Sequence, residues 1–291
     1  MSASDNMTTP FIRPKTIAEL DAFLNQDKSE KVFVAGATDL MVQPSFYSSS
    51  ACLVDLTGIP ELASEINVER AGVRIGAAVP IADITSHPVI RQRFPILTEA
   101  CRQIGSIQIQ NRATLGGNLA NASPAGDSLP VLDVLDAEIW LGPAVDATYE
   151  IHKLADLMLG PGQTCLTQGR YIASIFLPFP DADGLFWYFR KVGQRKVMAI
   201  SKVSLAVLGW MKDGVLKGIR ISPGSVSPQI KRACATEQML VGHKLSDSIL
   251  ASARFSLMQE ISPISDIRST EVYRKEICGN LLVEALTTTH A

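Results

Sequence analysis

This 291-residue chain has few of the residues that build metal centres. Its five cysteines, Cys52, Cys101, Cys165, Cys234 and Cys278, are scattered, and the nearest pair in sequence is Cys234 and Cys278. A C-x-x-C pair, the usual spacing for zinc or iron–sulfur ligands, does not occur. An odd, dispersed set of thiols fits a reducing compartment better than a disulfide framework. The four histidines, His87, His152, His243 and His290, are equally dispersed, so no metal ligands are assigned. Charge of one sign is also lacking. A net charge of −2 argues against a broad nucleic-acid surface. No apolar run is long enough to span a bilayer. The first nine residues are polar and have no hydrophobic signal core, so a flexible N-terminus over residues 1–9 and a cytoplasmic location are expected. No internal repeat is found, and neither G-x-G-x-x-G nor G-x-x-x-x-G-K-[ST] is present. A Rossmann dinucleotide site and a P-loop are therefore both poorly supported.

What is present is a substantial core. Apolar residues make up 46% of the chain and charged residues 19%, enough for one large domain or two ordinary ones. Thr16 and Glu19 form a capping-box signal ahead of Leu20, Phe23 and Leu24. Short strands are expected at Lys31–Val34, Cys52–Leu56, Gly72–Ala77, Ala137–Leu141, Tyr149–Ile151 and Tyr171–Leu177. Helices are expected over Pro80–Thr85, over Val89–Ile104 with a break near Pro95, through Val131–Leu135, and over Leu154–Leu159. Phe179–Gly184 is rich in turn residues and is the best domain boundary. Beyond it, strands at Leu185–Val192, Ser201–Met211 and Val215–Ser222 surround an Asp213-Gly214 hairpin signal. Helices then follow at Ala233–Leu240, Asp247–Glu260 and Thr270–Leu286.

Two small-residue segments carry the functional signal. The first, V-A-G-A-T-D-L at Val34–Leu40, directly follows a strand. Its small side chains allow a sharp turn and let ligand oxygens reach backbone amides. The same residues could equally form a plain turn with a capping Asp39. The second runs from Thr114 to Asp127, T-L-G-G-N-L-A-N-A-S-P-A-G-D. Its Gly-Gly and Ser-Pro read as a long loop rather than a helix. Such a loop inside a compact domain is often functional, and glycines let successive N–H groups face an anion. A surface loop whose Asn and Ser satisfy their own backbone is the competing reading. Together the two loops suit a divided site, one for each phosphate of a pyrophosphate-containing cofactor.

The two segments, extended to N-R-A-T-L-G-G-N-L-A-N-A-S-P-A-G-D at Asn111–Asp127, resemble the FAD-binding subunit of molybdenum hydroxylases. Xanthine dehydrogenases, aldehyde oxidases and aerobic carbon monoxide dehydrogenases belong to that family. The likeness continues through I-G-S at Ile104–Ser106, L-P at Leu177–Pro178, Y-F-R-K-V-G-Q-R at Tyr188–Arg195 and D-I-R-S-T-E-V-Y-R-K at Asp266–Lys275. The resemblance implies an α+β fold: a vanillyl-alcohol-oxidase-type FAD-binding domain over 10–180, in two lobes at about 10–62 and 63–180. A C-terminal domain at 181–291, a small antiparallel sheet with helices, would follow.

The resemblance further implies that Val34, Ala35, Gly36, Ala37, Thr38, Asp39 and Leu40 wrap the FAD pyrophosphate. Thr114, Gly116, Gly117 and Asn118 would add contacts, and Ser123 and Asp127 would face the cofactor. The backbone near Leu177, the amine of Lys191, and Ile104 complete the expected set. No catalytic side chain is assigned, because the flavin itself would carry the electrons. Molybdopterin and [2Fe–2S] clusters would sit on partners, a molybdenum-binding large subunit and an iron–sulfur small subunit. NAD⁺ or a quinone would be the acceptor. A self-contained flavin oxidoreductase and a flavin-free scaffold subunit remain as alternatives. Two residues depart from the family pattern: Ala37 where a glycine is common, and Gln110 where an arginine is frequent.

Overall fold

A computed structural model describes residues 10–42, 51–145, 148–167, 169–195 and 198–288. The expected flexible N-terminus, 1–9, lies outside the described residues. The architecture is α+β, with sheets, helices and three hydrophobic clusters.

The first sheet is parallel and pairs β1 (Phe11–Ile12), β2 (Lys31–Val34) and β3 (Cys52–Asp55) in the order β1-β3-β2. Helix Ile17–Gln26 makes the crossover. Its cap is as the sequence suggests: Thr16 Oγ1 accepts from the Glu19 amide, while Glu19 Oε2 accepts from the Lys15 amide, one residue ahead of the cap. Leu20 and Leu24, one turn apart, are buried against Val54, Leu56 and Ile59.

The second sheet is antiparallel. It consists of β4 (Ile66–Val68), β5 (Gly72–Gly76), β6 (Glu138–Val145), β7 (Thr148–His152) and, centrally, β10 (Tyr171–Pro178), in the order β4-β5-β10-β6-β7. Alternation along these strands decides their two faces. Val73, Ile75, Ile139, Leu141, Ile175 and Leu177 are buried in the largest cluster, against helices Ile81–Ser86, Pro88–Arg93, Pro95–Arg102 and Leu129–Val134. Each such aliphatic side chain contributes about 1.5–3 kcal/mol by leaving water. On the opposite face the Arg74 guanidinium lies over the Trp140 ring, 3.6 Å from its centroid. Helix Leu154–Leu157 is shorter than expected. Met158–Gly160 (β8) pairs instead with Gln163–Thr164 (β9), turning at Gly162, whose φ is 69°.

The third sheet is the meander β11 (Leu185–Val192), β12 (Val203–Lys212) and β13 (Val215–Gly224). Asp213 and Gly214, with φ of 55° and 72°, make the two-residue hairpin that their identities suggest. Helices Cys234–Leu240, Asp247–Glu260 and Glu271–Thr288 cover this sheet with a separate core. Phe189, Ala206, Leu208 and Ile230 nevertheless join the larger cluster. Packing therefore continues across the turn-rich 179–184 segment and holds the third sheet against the second.

Candidate functional site

The glycine-rich run is not a loop throughout. Leu115–Asn121 is a helix, with Thr114 as its N-cap. Thr114 Oγ1 accepts from the Gly117 amide at 3.0 Å, and Gly116 donates to the Ala77 carbonyl at 3.0 Å. The helix forms despite two glycines because the backbone must come this close to the end of β5. A Cβ on Gly116 would lie 2.5 Å from the Ala77 oxygen. Hence both glycine amides are satisfied within the protein, and Gly116 serves close packing on Ala77, while Gly117 is exposed. The helix ends at Ala122, held in the left-handed region with φ 45°. Only the remainder, 122–128, is irregular.

The first segment, Val34–Leu40, leaves β2 and turns directly against the approach to this helix. A Cβ on Gly36 would sit 1.9 Å from the Arg112 carbonyl oxygen and 3.0 Å from the Ala113 Cα. Gly36 has no positive φ, so it is glycine for lack of space rather than for conformational freedom. Ala37 is the residue in the left-handed region, with φ 58°. Beyond it, Met41 donates to the Ala37 carbonyl and Val42 to that of Asp39. The amides of Gly36, Ala37, Thr38 and Asp39 donate to no acceptor among the described residues. Gly36, Ala37 and Thr38 are half-buried and Asp39 is exposed. Consecutive unpaired donors are the raw material of an anion-binding nest. A left-handed alanine costs about 1–2 kcal/mol. Ala37→Gly is therefore expected to stabilise the fold by about 1 kcal/mol, after the extra entropy of glycine is set against that strain. A thermal melt checks this; a lower midpoint would contradict it.

A second group meets around Asp127, whose neighbour Ser128 bonds to Asn118 in the middle of helix Leu115–Asn121. Lys191 Nζ, on β11, donates to Asp127 Oδ2 at 2.5 Å and to the Gln103 carbonyl at 3.0 Å. The two side chains are only 7% and 8% exposed. Burial pushes the Asp127 carboxyl up to about 6, against the opposing pull of Lys191. Asp127 Oδ1 is buried and has no hydrogen-bond partner among the described residues. Ile104, next to Gln103, packs on the main core. Its carbonyl and that of Arg102 accept from Gln110 Nε2, at 2.9 and 3.0 Å. Gln110 is thus a buried brace for the turn through Gly105, which has φ 56°. This is a structural task that a neutral side chain performs.

Ser123 accepts from the Ala125 amide at 3.3 Å. Its neighbour Pro124 accepts from the Ser225 amide at 2.9 Å, which ties the 122–128 segment to the end of β13. Asn118 Oδ1 accepts from Ser128 Oγ at 2.7 Å. Leu177 is fully buried and in register with Val73. It lies four residues along β10 from Ala173, the acceptor for the Ala77 amide, so about 13 Å beyond the Gly116 contact. The structure therefore joins Gly36 to the approach to the Thr114 cap, and Ile104 through Gln103 to Lys191 and Asp127, while Leu177 is a core residue in the same cluster that Ile104 packs on. Arg112, Ala77, Gln103 and Ser128 complete the contacts and were not singled out in the sequence. The small-residue run Gly76-Ala77-Ala78 after β5 is the signal that could have marked Ala77.

Two glycine-dependent contacts and a run of unpaired backbone amides meet at the loops, with no constellation for nucleophilic or acid–base work there among the described residues. Comparison with known proteins identifies the cofactor. Residues 5–180 match the family described as FAD binding domain in molybdopterin dehydrogenase, and residues 187–289 match the CO dehydrogenase flavoprotein C-terminal domain. The chain belongs to this family of FAD-binding oxidoreductase subunits. It is 28% identical over 276 residues to the glyceraldehyde dehydrogenase medium chain of Sulfolobus acidocaldarius, covering 94% of this chain and 96% of that one. It is 29% identical to the nicotinate dehydrogenase FAD-subunit of Eubacterium barkeri, covering 91% and 90%. Among solved structures, a carbon monoxide dehydrogenase of Hydrogenophaga pseudoflava that lacks the Mo-pyranopterin moiety superposes with a TM-score of 0.89. It shares 27% identity over 97% of this chain and 96% of that one. Among the described residues, no helix is long and apolar enough to cross a membrane, and no group of His, Cys, Asp and Glu could hold a metal ion.

Proposed function

We propose that this chain is the electron-relay subunit of a molybdenum hydroxylase complex in the cytoplasm. Electrons would arrive from [2Fe–2S] clusters on a small partner and leave from FAD to NAD⁺, a quinone or another acceptor. A molybdenum-binding large subunit would oxidise the substrate. The observation that carries this reading is the four-amide nest Gly36–Asp39, wedged against the Arg112–Thr114 approach to the helix. It suits the pyrophosphate of FAD, with Val34, Ala35, Thr38 and Leu40 framing it and Asn118 alongside. Ile104, Ser123, Asp127, Leu177 and Lys191 are proposed to line the remainder of the cofactor's length. Bound FAD supplies reversible two-electron chemistry; the chain's own residues bind and orient it.

The division into a vanillyl-alcohol-oxidase-type domain at 10–180, with lobes at 10–62 and 63–180, and a second domain at 181–291 belongs to the same proposal. The separate first sheet, the second sheet and the third sheet with its own core support it. The named activities of the relatives, on glyceraldehyde and on nicotinate, differ although the subunit is alike. That supports substrate choice on another subunit. Under anaerobic conditions, the FAD of the isolated chain is expected to stay oxidised with candidate substrates and to bleach once the partner subunits are added. Bleaching by a small substrate without partners would overturn the relay reading.

A further inference from the structure

Far from the two loops, β7 and the β8–β9 hairpin bring a thiol, an imidazole and a carboxylate into one line. Cys165 Sγ lies 4.0 Å from His152 Nδ1. The other ring nitrogen, His152 Nε2, is bonded to Glu150 Oε1, two residues away on the same face of β7. Arg170, leading into β10, clamps the second oxygen of that carboxylate. The Cys165 amide is fixed to the Leu157 carbonyl at 2.9 Å, so the thiol's position is set by backbone. A nucleophile beside a base, with the base oriented by a third group, is the arrangement that activates thiols and hydroxyls. Cys165 is partly exposed, whereas Cys52, Cys101 and Cys278 are buried. Its exposed competitor, Cys234, has no imidazole partner of this kind among the described residues.

We propose that Cys165 is a base-assisted oxidation site for hydrogen peroxide, with His152 as the base and Glu150 and Arg170 as its positioning residues. Sulfur attacks one peroxide oxygen and forms the S–O bond as the O–O bond breaks. His152 Nδ1 takes the thiol proton and delivers it to the departing hydroxide, giving water and a sulfenic acid. Sulfur is oxidised by two electrons and peroxide is reduced by the same two. Burial raises the Cys165 thiol, so little thiolate forms unaided and the imidazole has a task. The inference stands apart from the flavin reading. Gly162, at the turn of the same hairpin, donates to the Ala122 carbonyl at 3.1 Å and so braces this unit against the residue before Ser123.

The test treats the full-length flavin-loaded chain with hydrogen peroxide, traps sulfenic acid with dimedone, and follows each cysteine by peptide mass spectrometry. Iodoacetamide gives parallel alkylation rates. Cys165 is expected to label about tenfold or more faster than Cys234, and His152→Gln to remove that advantage. Glu150→Gln, which keeps the imidazole and loses its orientation, is expected to reduce the rate by a smaller factor. Thermal midpoints and flavin content, unchanged in both variants, separate loss of the base from loss of the fold. Equal rates at Cys165 and Cys234, or an unaltered rate in a folded His152→Gln chain, would overturn the proposal.

Discussion

Gly36→Ala is expected to lose FAD and to destabilise the chain by about 3 kcal/mol, the upper part of the usual range for overpacking. The new methyl carbon would sit 1.9 Å from the Arg112 oxygen and 2.6 Å from its carbonyl carbon. Both are backbone atoms, so no rotamer change relieves the clash; the two segments must separate. Separation opens the nest at Gly36–Asp39 and moves the Thr114 cap together with it. Flavin content and the denaturation midpoint report the two effects. Gly160→Ala is the control, since a Cβ there meets only the Gln163 side chain, at an ordinary 3.4 Å. An alanine there is expected to cost little stability. Full flavin content in Gly36→Ala would contradict the joined-loop site.

Asp127→Asn is expected to cost about 3–5 kcal/mol, the range seen when one partner of a buried ion pair is removed. The Lys191 ammonium, 7% exposed, would lose its counter-charge and keep only neutral carbonyl acceptors, that of Gln103 among them. Asp127→Asn combined with Lys191→Met removes both charges and is expected to recover most of the loss, as apolar replacements of buried pairs do. The pair also sets a pH dependence. Desolvation holds the Asp127 carboxyl up to about 6, and also that of the half-buried Asp133, which accepts from Ser222, to about 6. Between about pH 4 and 6 the unfolded chain has released these protons, since a free aspartate titrates near 3.9, and the native chain has not. Native protein thus binds more protons in that window, and its stability falls as pH rises through it. Thermal midpoints are expected to decline from pH 4 to 6, and less steeply in Asp133→Asn. A midpoint that rises across the window in the parent chain would contradict the assignment.

Local patterns carried much of the fold. Period-two alternation gave β5 and β10, and Asp213-Gly214 marked the hairpin of the third sheet. Helix Asp247–Glu260 has the bounds expected from the sequence. The failures share a cause, which is contact between distant segments. Gly116 and Gly117 are helical because tertiary packing on Ala77 and the Thr114 cap outweigh their poor propensity. The Met158–Gly160 strand exists because Gln163–Thr164 pairs with it, and its sequence is too short to show that alone. In the site, the strain at Ala37 was readable from one missing glycine. The partnership of Asp127 with Lys191, and the brace that Gln110 makes, depend on packing that no local spacing encodes.

The central claim is that the joined segments hold FAD. The most direct measurement is the cofactor released when the purified chain is denatured. FAD, in a ratio of about one per chain, is the predicted result, one nest serving one pyrophosphate. FMN in its place, or a colourless chain that takes up no FAD on reconstitution, would contradict it.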